Sequence, residues 1–423
     1  MNKKVVFSKS PFWLAVMLIC SVFVGLFGGA KPTQAADKTT ITYGIWDSRQ
    51  EPGLRKIADD FEKANPDIKV DIQVTGWDDY WTMLEAAATG GSLPDVFWMH
   101  SNVIYKYGAN NQLMPLDDLI KEAGVDLGKF PKGLVDIYNV EGKQYGIPKD
   151  FDTIGLWYNK KMFDEAGLKY PDATWTWDTL KEAAKKLTKE DKSQYGASFF
   201  FTNQEGFYNF IYQNGGTVLT ADRKSGYADP KTIEALEYYF SFVKEGLSPA
   251  SYKDEDGKAF LENGKAAMGL LGSWQMGSMM QKDYVKANFD VAPLPAKDGK
   301  RTSIFNGLAN VMAANTQHKD AAWKFIQYLS SKEAQDKASQ LGVAISAYEG
   351  SEKEWLSSNK DLNLKAYTDA VEGAQIRPYT DDTVKWEEKV YEILKGAYTG
   401  EKDTAEAAKE AAKVMDQLIS EEK

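Results

Sequence analysis

The chain has 423 residues, 43% of them hydrophobic, which is enough for two or three domains with sizeable cores. A single cysteine, Cys20, and two histidines exclude an internal disulfide and a zinc or iron–sulfur centre built from soft ligands. A formal net charge of −10 excludes a nucleic-acid-binding footprint at the level of the whole chain, whereas aromatic residues are frequent, at 13%.

The first residues show the three-part pattern of a secretory signal peptide. Lysines precede an apolar run over residues 12–30, and small residues follow up to Ala35. We expect cleavage after Ala35, so that residues 1–35 are a signal peptide and the protein is secreted or held at the cell surface. Two alternatives tether it to the membrane: a lipid on Cys20, although Ile19 is not the small residue such signals carry, or an uncleaved apolar run.

Residues 39–100 alternate between strand and helix patterns. Apolar residues recur at every second position over 39–46 and 68–74, and residues 95–100 form a third apolar run. Each of the first two predicted strands is followed by residues with helical apolar spacing, over 52–65 and 78–89. This order predicts a doubly wound α/β domain with parallel strands, in which ligands bind in the loops after the strands.

Farther along the chain, four more helices are predicted, over residues 177–187, 230–246, 319–329 and 404–419. The last one has an acidic polar face, so we expect it to dock on a domain rather than on a membrane. Residues 252–263 approach the spacing of a calcium loop, but both end positions lack the required carboxylate. We expect a solvated acidic turn there, and no metal or cofactor.

Motifs for chemistry are scarce. Neither a G-x-S-x-G elbow nor a glycine-rich phosphate loop occurs, and His100 and His318 are too isolated to suggest a catalytic triad. Glycoside hydrolysis needs only two carboxylates at a fixed separation, so an enzyme of that kind stays open as an alternative.

Several ordered stretches resemble one family. YGIPKDFDTIGLWYNKKMFDEAGL (145–168) and TWTWDTLKEAAKKLT (174–188) are similar to its core signature, and AFLENGKAAMGLLGSW (259–274) and DAAWKFIQYLSSKEAQ (320–335) to two further blocks. The family is that of the extracellular solute-binding proteins of bacterial carbohydrate ABC importers, which includes maltose/maltodextrin- and multiple-sugar-binding proteins. With the export signal, the resemblance spans nearly all of the mature chain.

The resemblance implies a periplasmic-binding-protein-like α/β fold: two doubly wound lobes joined by a hinge, with the ligand in the cleft between them. The N-terminal lobe would comprise residues 37–149 plus 304–347, and the C-terminal lobe 150–303 plus 348–423. The implied function is to capture a sugar, an oligosaccharide in our interpretation, and to deliver it to membrane permease subunits. The protein would act as a monomer, without catalysis, cofactor or nucleic acid.

A sugar site combines polar groups that pair with hydroxyls and aromatic rings that stack on the sugar's apolar faces. The loop IWDSRQ (45–50) supplies Trp46, Asp47, Arg49 and Gln50 where maltose-binding relatives place an acid–base pair. The alternative role of Asp47 is to cap the following helix.

In FWMHSN (97–102), Ser101 and Asn102 stand where the family has an Asp–Arg pair that grips hydroxyls, which implies a different sugar or linkage. His100 is equally well explained as a ligand contact or as a loop histidine. Trp77, after the second strand, and Asn306 are further candidates.

The remaining candidates lie in the later blocks. By resemblance, Asp152 accepts sugar hydroxyls, with Asp150 nearby, and Glu205 and Phe207 match a Glu-x-aromatic contact. Trp274 matches a stacking tryptophan of the second lobe.

Near the C-terminus, RPYTDDTVKW (377–386) resembles a segment that delivers another stacking aromatic, so Arg377, Tyr379 and Trp386 are candidates. The alternative for any of these tryptophans is a place in the core. Two other functions stay open: a secreted carbohydrate-active enzyme that pairs Asp150 or Asp152 with Glu205, and a binder of a non-sugar solute such as a phosphodiester, held by Arg49 and Arg377.

Overall fold

A computed structural model describes residues 38–422 of the chain. The signal peptide expected over residues 1–35, and with it Cys20, lies outside the described residues. Within residues 38–422, no helix combines the length and the apolar character that a membrane crossing requires.

The described residues form fourteen strands and eighteen α-helices. The strands are β1 (Thr39–Ile45), β2 (Ile68–Val74), β3 (Val96–Met99), β4 (Asn139–Val140), β5 (Lys143–Gln144), β6 (Gly146–Pro148), β7 (Asp150–Phe151), β8 (Ile154–Asn159), β9 (Met268–Gly272), β10 (Phe289–Ala292), β11 (Ile304–Phe305), β12 (Ala309–Met312), β13 (Ile345–Ser346) and β14 (Gln375–Ile376). The helices are α1 (Glu51–Ala64), α2 (Trp77–Gly90), α3 (Ile104–Ala109), α4 (Asp117–Ala123), α5 (Lys132–Ile137), α6 (Lys160–Glu165), α7 (Trp177–Leu187), α8 (Tyr208–Gln213), α9 (Pro230–Lys244), α10 (Asp254–Glu262), α11 (Met276–Met279), α12 (Asp283–Asn288), α13 (Lys319–Leu329), α14 (Lys332–Gln340), α15 (Glu352–Ser358), α16 (Lys365–Asp369), α17 (Thr383–Thr399) and α18 (Thr404–Ser420).

The first sheet has five strands in the order β2-β1-β3-β12-β6. β1 pairs in parallel with β2 along its whole length and in parallel with β3, which confirms the predicted strand–helix alternation. β12 runs antiparallel to both of its neighbours, so the sheet is mixed at that position. Because β1 and β3 are parallel neighbours, the loops that follow them lie at the same edge of the sheet.

Local sequence explains the first two helices. α1 has Pro52 in its first turn and buries Leu54, Ile57 and Phe61 at helical spacing, as predicted. α2 ends at Gly91, whose φ of +68° lies in the left-handed region that glycine enters without steric cost.

The second sheet is smaller, with three antiparallel strands in the order β10-β8-β9. Every residue of β8 is buried, and a second aromatic-rich core packs this sheet against helices that include α7, α9 and α17. α18 packs against α17 through Ala408, Ala411 and Met415, which confirms that the C-terminal helix docks on the folded protein.

The acidic segment near residue 254 forms the first turn of α10. The expected solvated turn is therefore wrong in detail: Asp254, Glu255 and Asp256 occupy the helix start, where the helix dipole favours negative charge. Among the described residues, no cluster of side chains is suited to holding a metal ion.

Short strands connect the two sheets. The chain passes from β6 through β7 to β8, and from β10 through β11 to β12; β7 also pairs with β13, and β11 with β14. The lobe boundaries predicted at residues 149–150, 303–304 and 347–348 fall beside these crossings. The division into 37–149 plus 304–347 and 150–303 plus 348–423 stays a prediction.

Candidate functional site

The loop after β1 is organised by Asp47, which is buried. Its carboxylate accepts hydrogen bonds from the backbone and Nε of Arg49, at 2.9 and 2.8 Å, and from Nε2 of Gln50, at 3.2 Å. The alternative role as a helix cap is not observed, since Gln50 occupies the cap position of α1 without a side-chain bond. Asp47 therefore fixes the directions of two neighbouring polar side chains.

Trp274 follows β9 and is half-buried. Its indole lies across Gly272 so closely that a Cβ atom at that position would stand 1.9–2.3 Å from three indole carbons. Any larger residue at position 272 would therefore force the ring to move.

Trp274 shares a cavity of about 210 Å³ with the loop after β1. Asp47, Arg49 and Gln50 line one side, and Trp274 with Ser278 lines the other. The cavity thus brings together side chains that follow β1 of the first sheet and β9 of the second.

Asp150 and Asp152 are buried where the chain crosses between the sheets. Asp150 forms an ion pair with Lys149 and accepts a hydrogen bond from the backbone of Leu308 at 2.8 Å. Asp152 accepts a hydrogen bond from Nε2 of Gln204 at 2.7 Å. Burial, and secondarily the nearby Asp150, raise the pKa of Asp152 well above its ordinary value.

Glu205 lies in a helical turn, Asn203–Phe207, that precedes α8. Its Oε1 accepts a 2.6 Å hydrogen bond from the backbone N–H of Gly272, which ties it to the loop that carries Trp274. Burial raises the pKa of Glu205 well above its ordinary value.

His100 links the end of β3 to Asn306. Its Nδ1 lies 2.7 Å from Oδ1 of Asn102, and its Nε2 lies 3.2 Å from Nδ2 of Asn306. Burial, together with the positive charge of Arg377, lowers the pKa of His100 to about 3, so the ring is neutral at ordinary pH. Ser101 is buried beside the same ring.

Arg377 makes a buried ion pair with Glu387, in which Nη2 lies 2.8 Å from each carboxylate oxygen. Glu387 also accepts hydrogen bonds from Nδ2 of Asn203, at 2.9 Å, and from the hydroxyl of Tyr208, at 3.2 Å. The network anchors the turn that carries Glu205 to α17.

The other three predicted residues differ in burial. Trp386 is fully buried in the second core and donates its indole N–H to Oγ1 of Thr380 at 2.8 Å. Phe207 is also fully buried, among Phe201, Tyr391 and other rings. Both are core residues in this structure, because helix packing encloses them. Tyr379 is exposed.

Several polar atoms of the site lack hydrogen-bond partners. Ten buried side-chain polar atoms within residues 38–422 have none, and half of them belong to four predicted site residues: Oε1 of Gln50, Oε2 of Glu205, Oδ1 of Asn306, and Nε and Nη1 of Arg377. An unsatisfied buried polar group costs about 1–3 kcal/mol. These free acceptors and donors on predicted site residues suit a ligand that both donates and accepts hydrogen bonds.

The sequence interpretation missed two contributors. Gln204 binds Asp152, and its only sequence signal is its position next to Glu205. Trp81 packs against both Trp77 and Trp46, and the spacing of four residues from Trp77 on α2 is the signal that could have identified it.

Two connected α/β halves, with side chains of both lining one cavity, define a periplasmic-binding-protein-like protein that captures a solute. Residues 46–336 match the bacterial extracellular solute-binding protein family, and the chain belongs to that family. Members of this family act outside the cytoplasm.

Individual relatives support the assignment. The multiple sugar-binding protein of Streptococcus mutans is 26% identical over 84% of this chain and 86% of its own length. The maltotriose-binding protein of Pyrococcus abyssi is 29% identical over 70% of this chain and 64% of its own length. An ABC substrate-binding protein of Listeria monocytogenes, solved in complex with cycloalternan, superposes with a TM-score of 0.82 at 26% identity and covers 91% of this chain and 100% of its own.

Proposed function

We propose that this protein captures an oligosaccharide outside the cytoplasmic membrane and delivers it to the permease of an ABC importer. The observation that carries this proposal is the set of buried, unpartnered polar atoms on Gln50, Glu205, Asn306 and Arg377. A sugar hydroxyl donates one hydrogen bond and accepts others, so a polyhydroxylated ligand suits a mixture of free acceptors and donors. The printed functions of the Streptococcus and Pyrococcus relatives support the same ligand class.

Three site residues have proposed roles. Trp274 stacks on an apolar sugar face from within the cavity, opposite Arg49 and Gln50. Asp152 and Glu205 accept hydrogen bonds from hydroxyls, and buried carboxyl groups of this kind discriminate strongly against ligands that leave them unpaired.

Capture requires no bond to be made or broken. Ligand contacts from both halves favour an arrangement in which the two halves close on the ligand. The ligand shifts the equilibrium between the open and closed arrangements only by its higher affinity for the closed one. The closed protein is then the form that the permease recognises. Because one chain supplies both sides of the cavity, we propose that the protein acts as a monomer.

The local charges favour a neutral ligand. Arg49 and Arg377 are the two arginines that could bind a phosphate group. Each is already paired with a carboxylate, Arg49 with Asp47 and Arg377 with Glu387. A phosphodiester is therefore the weaker candidate.

A thermal-shift and calorimetry panel tests the proposal. The probes are glucose, mannose and arabinose and their linear oligomers of two to six units, applied to the full mature protein. A ligand at 100 times its dissociation constant adds about 2.7 kcal/mol to the free energy of unfolding, so binding is readily seen. If none of these sugars raises the unfolding temperature, the proposal is wrong.

The site is tested by Trp274→Ala, which should weaken binding of the best oligosaccharide by about tenfold or more if stacking and burial are both lost. Tyr170→Ala is the control, because Tyr170 is an exposed aromatic residue that packs on Tyr158 and Phe163 and does not line the cavity. Equal affinities of the wild type and the Trp274 variant would remove Trp274 from the site.

A further inference from the structure

Trp77 is an exposed tryptophan held rigidly by other rings. Its indole contacts those of Trp46 and Trp81 at centroid distances of 5.2 and 5.3 Å, and the ring of His100 at 5.5 Å. The three interplanar angles are 82°, 84° and 78°, so each neighbour meets it edge to face. Yet 43% of Trp77 remains exposed to solvent.

The bracing continues into the core. Trp46 packs edge to face against Tyr80, at 5.2 Å, and against the fully buried Trp98, at 4.9 Å. A ring fixed in this way has already lost its rotamer freedom, so stacking a ligand on it costs little further entropy. Trp77 thus combines two properties of a stacking surface: it is accessible, and it is held in place.

Trp77 is continuous with the proposed sugar site on two sides. Trp46 immediately precedes Asp47, which lines the cavity, and His100 is bonded to Asn306. Trp77 is therefore one ring contact away from Trp46, the neighbour of a cavity residue, and from His100.

The size of the cavity leaves part of an oligosaccharide outside it. Its volume of about 210 Å³ is below the roughly 300–1,000 Å³ of pockets that enclose a drug-sized ligand. Sugar units beyond those in the cavity must lie along the rim of the cleft. Asp78 and Asp79, next to Trp77, make that rim acidic, which suits neutral units better than anionic ones.

We propose that Trp77, backed by Trp46 and Trp81, is an accessory stacking subsite for sugar units that extend beyond the cavity. The subsite makes affinity rise with the number of units and so selects oligosaccharides over monosaccharides. The inference rests on the proposed function and deepens it by assigning a length-selective surface.

Calorimetry with the wild type and Trp77→Ala tests the subsite, with linear glucose, mannose and arabinose oligomers of one to six units as probes. In the series that binds, Trp77→Ala weakens the five- and six-unit oligomers by about 3- to 10-fold, the strength of one aromatic stacking contact, and leaves the shortest bound oligomer unchanged. Trp77→Phe keeps a ring and retains most of the length dependence. Tyr170→Ala, remote from the rim, binds every length as the wild type does.

The outcomes separate the two proposals. If the wild type binds no member of the three series, the proposed function and this inference both fail. If the wild type binds but its affinity does not increase with length, or if Trp77→Ala shows the same length dependence as the wild type, only the accessory subsite is overturned. Unfolding temperatures measured without sugar show whether each variant is folded.

Discussion

The close approach of Trp274 to Gly272 makes Gly272→Ala an informative perturbation. A Cβ atom added there would stand 1.9 Å from the nearest indole carbon, whereas ordinary contacts begin at 3.4 Å. The ring must therefore move by roughly 1.5 Å, which is enough to forfeit much of its packing on either side. The backbone N–H of Gly272, which donates to Glu205, is unaffected by the substitution.

The expected cost falls on binding more than on folding. Overpacking costs about 1–3 kcal/mol, and less where the displaced ring can swing into solvent, as the half-buried Trp274 can. Displacing a stacking ring removes about 0.5–1.5 kcal/mol of aromatic interaction, so affinity for an oligosaccharide falls by about 2- to 13-fold. Because both substitutions act through the same ring, adding Trp274→Ala to Gly272→Ala costs little more than Trp274→Ala alone.

The assay is calorimetry with the best oligosaccharide of the panel, together with thermal unfolding of each unliganded variant. Gly90→Ala is the control, because a Cβ atom at that helical position meets only Oγ of Ser92, at 3.7 Å. The reasoning is refuted if Gly272→Ala binds as tightly as the wild type, or if the effects of Gly272→Ala and Trp274→Ala on binding simply add.

Four further outcomes are expected. Burial raises the pKa of Asp152 above its value in the unfolded chain. The contribution of Asp152 to the free energy of unfolding is therefore present at low pH and is lost as pH rises through the folded-state pKa. Asp152→Asn should therefore raise the unfolding temperature at about pH 8 but not at about pH 3, and should still weaken oligosaccharide binding. Arg377→Met leaves the buried Glu387 without its counter-charge and should lower the free energy of unfolding by about 3–5 kcal/mol in urea titrations, a loss that Glu387→Gln in the same chain should partly restore. Trp386→Ala should cost about 3–5 kcal/mol of stability as a core truncation while calorimetry finds unchanged affinity; a large loss of affinity would return Trp386 to the site. The ring of His100 should stay neutral in NMR titrations from about pH 8 down to pH 5, and a transition near pH 6 would contradict its burial.

Local sequence determined the secondary structure of residues 39–100. The predicted strands over 39–46 and 68–74 and the helices after them are observed within a few residues, and α7 and α13 have the predicted bounds. Apolar periodicity and helix-ending residues act over a few positions, so they can be read from one stretch of chain. The insertion of β12, antiparallel, between β3 and β6 could not be read in this way, because its partners lie more than 150 residues away.

The same distinction applies to the candidate site. The sequence determined which residue types were available: tryptophans, carboxylates and arginines in blocks that resemble those of sugar-binding relatives. Only the tertiary structure decided that Trp274 faces a cavity while Trp386 and Phe207 fill a core, because one aromatic side chain serves either purpose and burial depends on neighbours distant in sequence. The unpaired polar atoms of Glu205 and Arg377 are likewise visible only when every possible partner has a position, since hydrogen-bond satisfaction is a property of the packed chain.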